Sequence, residues 1–269
     1  SLWNGAFLNT FFWDARASSL EEQMQGPLYA ANEMGTSPLQ LLADIAANDT
    51  YVRLFRDAYP GSEGALTLGQ IYMAIAAFQT SLVSLNSRYD QYAHGYHDAL
   101  TESEKAGMNV FRSFVARCAE CHTPPLFTNQ QVAIIGVQEP DGRAFDPGAE
   151  TVYENPGLRG GFKVPSLRNV AQTAPYMHSG TFATLREAAE FYTLGRGHAL
   201  PDEDKERVSV HWHIWEPNLT DDELDRLVDF LGTLSDERFK PHIPAAVPSG
   251  LLPIGTLPET LTTRMSQSN

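Results

Sequence analysis

The stretch "RCAECHTPPLF", residues 117–127, contains both cysteines of the 269-residue chain, Cys118 and Cys121, and His122 directly follows the second. Residues three and four apart lie on one face of a helical turn, so both thiols and the imidazole can reach the same ligand. Two thiols at this spacing can bond to the two vinyl groups of a haem while the histidine binds its iron. The stretch therefore predicts one covalently attached haem c.

Three other uses of a thiol pair fit this sequence less well. A structural zinc site takes four protein ligands, and no second Cys or Cys/His cluster follows at a suitable spacing. A thioredoxin-like redox pair is expected beside a βαβ pattern, which the sequence lacks. A disulfide between residues three apart closes only a small loop and would contribute little stability.

The overall composition is that of an ordinary globular protein, with 42% hydrophobic and 19% charged residues. The formal net charge of -14 argues against nucleic acid and anionic membrane surfaces as partners. No run approaches the roughly 18 apolar residues of a membrane span. We therefore expect neither a nucleic-acid partner nor a membrane span.

Helix signals dominate the chain and predict a mainly α fold. Ser37 and Pro38 have the pattern of an N-cap followed by proline in the first turn. Capping boxes, with a threonine at the cap and a glutamate three residues later, are predicted at Thr101, Thr184 and Thr220. The best strand candidate is residues 131–137, and residues 139–165 have the proline and glycine content of a long loop.

A haem iron bound by His122 has a sixth coordination position, and the ligand there changes the reduction potential of the iron. By residue type, Met177 and His178 are the obvious candidates in the segment that follows residue 163. A methionine beside aromatic residues is more often part of a core, so residue types alone leave this ligand open.

Two long stretches resemble a known family. "GFKVPSLRNVAQTAPYMHSGTFATLREAAEFY", residues 161–192, resembles the C-terminal haem domain of the bacterial di-haem cytochrome c peroxidases and their MauG-like relatives. "FFWDARASSLEEQMQGPLYAANEMG", residues 11–35, resembles their segment next to the peroxide-reacting haem. The resemblance covers nearly all of residues 1–240 and implies a mainly α protein with cytochrome c-like haem domains in a two-domain di-haem peroxidase architecture.

The resemblance also implies a domain division. Residues 1–95 would be the remainder of an N-terminal peroxidatic haem domain, and residues 96–240 the C-terminal haem domain. Residues 241–269 would be a proline-rich C-terminal tail. The family has two C-x-x-C-H motifs and this chain has one. We therefore expect a truncated sequence, with the first motif and a second haem upstream of Ser1. The alternative is a true mono-haem protein, in which the carboxylate and amide that the family places over the peroxide haem would face no haem.

The resemblance assigns roles to individual residues. Tyr192 occupies the position of the sixth iron ligand, which is methionine in the classical peroxidases and tyrosine in the MauG-like branch. Glu33 matches the acid-base carboxylate over the peroxide haem, with Gln23 as its polar neighbour. Trp13 matches the tryptophan between the two haems, which can relay electrons, although it can equally be a packed core indole.

A calcium site is implied as well. Thr173 and Pro175 match positions whose main-chain carbonyls bind calcium between the haem domains, and carbonyl oxygens are suitable ligands for this cation. The family's asparagine ligand would lie upstream of Ser1, so the site would be incomplete within this sequence.

The activity implied for the intact protein is reduction of hydrogen peroxide with electrons from a small cytochrome c or cupredoxin, or oxidation of a side chain in a partner protein. Tyr192 favours the second, MauG-like activity, and the fragment itself is expected to lack competent peroxidase chemistry. Haem attachment implies the periplasm. The rival interpretations are an electron-transfer cytochrome without peroxide chemistry and a degenerate protein that keeps the fold without haem.

Overall fold

The structure, a computed structural model, describes residues 1–61, 64–236 and 241–253. Within these residues the chain is mainly helical, which confirms the predicted fold class. The α-helices are α1 Leu20–Gln23, α2 Gln25–Tyr29, α3 Pro38–Ala46, α4 Asp49–Ala58, α5 Leu68–Thr80, α6 Arg88–Ala93, α7 Glu102–Arg112, α8 Cys118–Cys121, α9 Ala149–Tyr153, α10 Leu185–Glu190 and α11 Asp221–Gly232. No helix in the described part of the chain is long and apolar enough to cross a membrane.

The chain divides into two compact units. One comprises Ser1–Gln23 and Gln79–Phe239, and the other comprises Met24–Phe78 and Lys240–Asn269. The C-x-x-C-H motif belongs to the first unit. The predicted haem-domain ranges, 1–95 and 96–240, stay a prediction, and the end of the proposed tail, residues 254–269, lies outside the described residues.

The helix starts follow the predicted capping chemistry. The Ser37 side chain accepts a hydrogen bond from the Gln40 amide, and Pro38 begins α3. Reciprocal capping boxes are present at the three predicted threonines, Thr101, Thr184 and Thr220. In each box the cap hydroxyl and the glutamate three residues later satisfy amides that the first helical turn leaves without partners.

The core of the first unit is built where α7 packs against α11. Phe111 and Phe230 are buried with their ring centroids 5.2 Å apart, and Phe127 packs against both. The backbones approach closely at Gly107, where an added Cβ would lie 1.8 Å from the Arg226 carbonyl oxygen. This core supports one wall of the cavity described below.

A two-stranded antiparallel sheet pairs β1, Val132–Ile134, with β2, Gly161–Lys163, and aligns Val132 with Lys163. The strand is shorter than the predicted residues 131–137, because Gly136 has a φ of 73° and interrupts the extended backbone. The sheet closes the long loop between the strands and brings residues 161–165 to the C-x-x-C-H motif.

Candidate haem c site

The C-x-x-C-H motif forms a single helical turn. Arg117, in the left-handed conformation with a φ of 54°, precedes α8, and the His122 amide closes the turn by donating to the Cys118 carbonyl at 2.9 Å. Cys118 and Cys121 are not joined by a disulfide. Cys118, Cys121 and His122 all line one cavity of about 690 Å³, a volume within the range of cofactor sites.

His122 is oriented by two backbone carbonyls. Its Nδ1 lies 3.1 Å from the carbonyl oxygens of both Phe127 and Pro165. A carbonyl can only accept, so Nδ1 carries the proton and Nε2 keeps its lone pair. Burial lowers the pKa of His122, against the smaller opposing effect of the two carbonyls, and so favours the neutral imidazole. This tautomer and the fixed ring suit Nε2 for binding iron.

A buried ion pair holds the loop that follows His122. The Arg168 guanidinium donates to both carboxylate oxygens of Asp90, at 2.7 and 2.8 Å, and its Nε donates to the Pro125 carbonyl at 2.8 Å. Burial alone would raise the pKa of Asp90, but hydrogen bonds from Arg168 and Ser87 outweigh it and hold this pKa below its usual range. The pair thereby fixes residues 125–127, which supply one of the carbonyls that orient His122.

The two thiols have raised pKa values. Burial raises the pKa of Cys118 to about 12, and burial followed by the nearby Glu120 charge raises the pKa of Cys121. The thiolate is the reactive species in thiol–disulfide exchange, so these values do not suit a thioredoxin-like redox pair. Among the described residues there is also no group of three or more His, Cys, Asp or Glu side chains placed to hold a metal ion by themselves.

Tyr192 and Met177 both line the cavity that contains the motif. Tyr192 belongs to a 3-10 helix, Phe191–Thr193, which continues from α10. Burial raises the pKa of Tyr192, and the two nearby cysteines raise it further. A phenolate there would need a positive partner, such as an iron. The cavity thus brings all three candidate sixth ligands, Tyr192, Met177 and His178, to the motif, and the choice of Tyr192 stays a prediction.

The other predicted site residues lie in different places. Trp13 lines the cavity and is 41% exposed, and its carbonyl accepts a hydrogen bond from the Lys163 amide at 2.7 Å. Gln23 is the last residue of α1 in the first unit. Glu33 belongs to the second unit, in an exposed turn where its amide donates to the Ala30 carbonyl at 3.0 Å. The roles of these three residues stay predictions.

The proposed calcium ligands are on the loop that leads to α10. Thr173 and Pro175 are exposed and line the cavity, and the Thr173 hydroxyl donates to the Val170 carbonyl at 3.0 Å. Their role as calcium ligands stays a prediction.

Sequence reasoning missed a buried hydrogen bond beside the cavity, between His178 and Glu139. His178 Nε2 and Glu139 Oε1 are 2.7 Å apart with side chains 8% and 9% exposed, and the His178 ring stacks on Phe162 at 3.8 Å. A lone glutamate in a loop rich in glycine and proline gave no signal for a partner 39 residues away.

The chain has clear similarities to known proteins. Residues 1–98 match the family model described as di-haem cytochrome c peroxidase. The chain is 31% identical to a cytochrome c551 peroxidase of Nitrosomonas europaea and 33% identical to the methylamine utilization protein MauG of Methylorubrum extorquens. These alignments cover 88% and 93% of this chain, which spans 65% and 66% of the relatives' lengths.

Solved structures agree with this similarity. A MauG-like protein associated with microbial copper homeostasis aligns with a TM-score of 0.77 and 32% identity, over 88% of this chain and 75% of that one. A di-haem peroxidase of Burkholderia thailandensis aligns with a TM-score of 0.72 and 28% identity, over 90% of this chain and 70% of that one.

Proposed function

Because this chain belongs to the di-haem cytochrome c peroxidase family, we propose that it is part of a c-type haem oxidoreductase that uses hydrogen peroxide and exchanges electrons with a protein partner. The observation that supports this most is the orientation of His122. Two carbonyls hold its Nδ1 proton, and its Nε2 is left available in the cavity that also contains both thiols.

A bound haem supplies one-electron redox chemistry and an iron that reacts with peroxide. Cys118 and Cys121 would attach its vinyl groups, and His122 Nε2 would bind the iron. Tyr192 would provide the sixth ligand as a phenolate, which favours oxidised iron. This sequence has one C-x-x-C-H motif, so a second haem, as the family description implies, requires a motif outside it.

Glu33 is the proposed acid-base group for the peroxide step. Its carboxylate would accept a proton from hydrogen peroxide and return it to the departing oxygen as the O–O bond breaks. Gln23 would be its polar neighbour, and Trp13 would relay electrons. Reduction of one peroxide to two waters takes two electrons, which the protein partner must provide, and two protons, which come from the solvent.

Tyr192 favours a MauG-like activity, in which those electrons come from a side chain of a partner protein that is thereby oxidised. The alternative electron donor in this proposal is a small cytochrome c or cupredoxin. Because covalent haem attachment takes place outside the cytoplasm in this family, we place the protein in the periplasm. Thr173 and Pro175 would contribute carbonyl oxygens to a calcium ion.

The first test is haem attachment in the full-length natural protein, produced with export and haem-ligation machinery. We expect a haem-stained band on a denaturing gel and an intact mass larger than that of the polypeptide. Cys118→Ala with Cys121→Ala removes the attachment at this motif and is the matched control. A colourless wild-type protein with the mass of the bare polypeptide would refute the proposed function.

The second test is the identity of the sixth ligand. Tyr192→Phe is expected to change the optical and paramagnetic spectra of the haem linked at Cys118, whereas Met177→Leu in the same cavity should leave them unchanged. If Met177→Leu changes the spectra and Tyr192→Phe does not, Met177 is the sixth ligand and the argument for a MauG-like activity is lost.

A further inference from the structure

The lysine and arginine side chains that line the cavity are not matched by carboxylates in its wall. Lys163, Arg168 and Arg117 line it, and none of the described residues that line it is an aspartate or a glutamate. The whole chain, by contrast, has 33 acidic residues and 19 lysines and arginines. A wall with cations and without carboxylates favours a ligand that itself carries negative charge.

Two of these three cations already have partners in the protein. Arg168 pairs with the Asp90 carboxylate at 2.7 Å. Arg117 donates from Nε to the Phe114 carbonyl at 3.1 Å, and its guanidinium lies 4.7 Å from the ring centroid of Trp215. Neither side chain needs a ligand to balance its interactions.

Lys163 differs from both arginines. Among the described residues, no hydrogen bond or ion pair involves its ammonium group, and burial lowers its pKa. Its backbone is nevertheless well fixed, because it ends β2 and its amide donates to the Trp13 carbonyl at 2.7 Å. Lys163 also stands two residues before Pro165, whose carbonyl orients His122. The sheet therefore holds a partly buried ammonium group, for which the described residues provide no partner, in the cavity that contains the proposed iron ligand.

We propose that the Lys163 ammonium forms an ion pair with a propionate carboxylate of the haem attached at Cys118 and Cys121. This inference rests on the proposed function, because it requires a haem in this cavity. A haem carries two propionates, which are ionised at neutral pH as other carboxylic acids are. Each partner of the pair relieves the unfavourable burial of the other's charge. The positive charge of Lys163 would also disfavour the oxidised, more positive state of the iron.

The test is the reduction potential of this haem in the full-length holoprotein, followed by optical and paramagnetic redox titration. Lys163→Gln removes the charge and leaves an uncompensated propionate, which stabilises oxidised iron and lowers the potential. We expect the ratio of oxidised to reduced haem at a fixed potential to rise about tenfold, equivalent to about 59 mV for one electron.

Two matched variants separate this charge effect from a general disturbance. Lys163→Arg keeps the charge and should stay within about threefold of wild type. Lys205→Gln removes a surface lysine that is 51% exposed and pairs with Asp202, and it should also leave the ratio unchanged. A tenfold rise in Lys163→Gln alone supports the ion pair, whereas a ratio unchanged in Lys163→Gln, or equally changed in Lys163→Arg, overturns it.

If the Lys163→Gln protein does not fold or does not retain haem, a second measurement on the wild-type protein tests the inference. In a crystal structure of the wild-type holoprotein, Lys163 Nζ should lie within about 4 Å of a propionate oxygen, the limit for an ion pair. A larger separation from both propionates overturns the inference. These results are distinct from failure of the proposed function, because wild-type protein without covalent haem overturns both proposals, whereas haem-loaded protein without the ion pair overturns only this one.

Discussion

The close contact between α7 and α11 gives a sharp prediction for Gly107→Ala. An alanine Cβ at this position would lie 1.8 Å from the Arg226 carbonyl oxygen, 2.5 Å from the Arg226 carbonyl carbon and 3.0 Å from Phe230 Cβ. Favourable contacts between such atoms are about 3.5 Å or longer. The two helices must therefore separate by more than an ångström, and the buried rings of Phe111 and Phe230 would lose contact.

The size of the effect follows from two opposing contributions. Alanine is a better helix former than glycine by about 1 kcal/mol. Overpacking of a dense core typically costs about 1–3 kcal/mol, and this overlap involves backbone that cannot move alone, so the upper part of that range applies. We expect a net loss of about 2 kcal/mol in the free energy of unfolding. For a domain of this size, the melting temperature should fall by about 4–8 °C.

Urea unfolding of the full-length protein, followed by circular dichroism, measures this loss. Gly232→Ala is the matched control, because an alanine Cβ there meets nothing within 4 Å and Gly232 is the last residue of the partner helix α11. The control should be neutral or stabilised by up to about 1 kcal/mol. If Gly107→Ala is as stable as Gly232→Ala, the described packing of α7 against α11 is wrong.

Three further predictions concern the proposed chemistry, the Arg168–Asp90 ion pair and the hydrogen bond between His178 and Glu139. Glu33→Gln in the full-length holoprotein should reduce peroxide turnover by about 10²–10⁴-fold; unchanged turnover would favour an electron-transfer cytochrome. Asp90→Asn leaves Arg168 buried without its carboxylate and should cost about 3–5 kcal/mol in urea unfolding at neutral pH. The pKa of Asp90 is lower in the folded than in the unfolded protein. The difference in the free energy of unfolding between wild type and this variant should therefore be complete above the unfolded pKa, about 4, and be lost as the pH falls through the folded-state pKa. A stability difference that persists below the folded-state pKa contradicts the ion pair. Glu139→Gln should increase amide exchange across residues 139–160, with wild-type rates refuting a role for the His178 pair in fixing this loop.

The helix starts were predictable from the sequence because their determinants are local. A capping box needs only a threonine and a glutamate three residues apart, so Thr101, Thr184 and Thr220 could be identified without the fold. The C-x-x-C-H motif is local in the same way, and its three side chains do line one cavity. What such spacing predicts is a contact within one or two helical turns.

The surroundings of His122 were not predictable, because they depend on contacts between distant segments. The Pro165 carbonyl that bonds the imidazole is 43 residues away along the chain, and Arg168 reaches Asp90 across 78 residues. Lys163 gave no signal either, since the sequence predicted a long loop over residues 139–165, and a lysine in a loop is ordinarily exposed. The pairing of β1 with β2 places this lysine, partly buried, in the wall of the cavity.

The Arg168 side chain connects three stretches of the chain: residues 87–90, the loop at Pro125 and its own segment. Opening any one of them would leave a buried guanidinium or carboxylate without its counterpart, so all three should open together as one cooperative unit. In native-state hydrogen exchange their amides should share a single opening free energy. The part of the cavity wall that holds His122, the proposed iron ligand, would then be either fully formed or fully open, without a partly ordered intermediate.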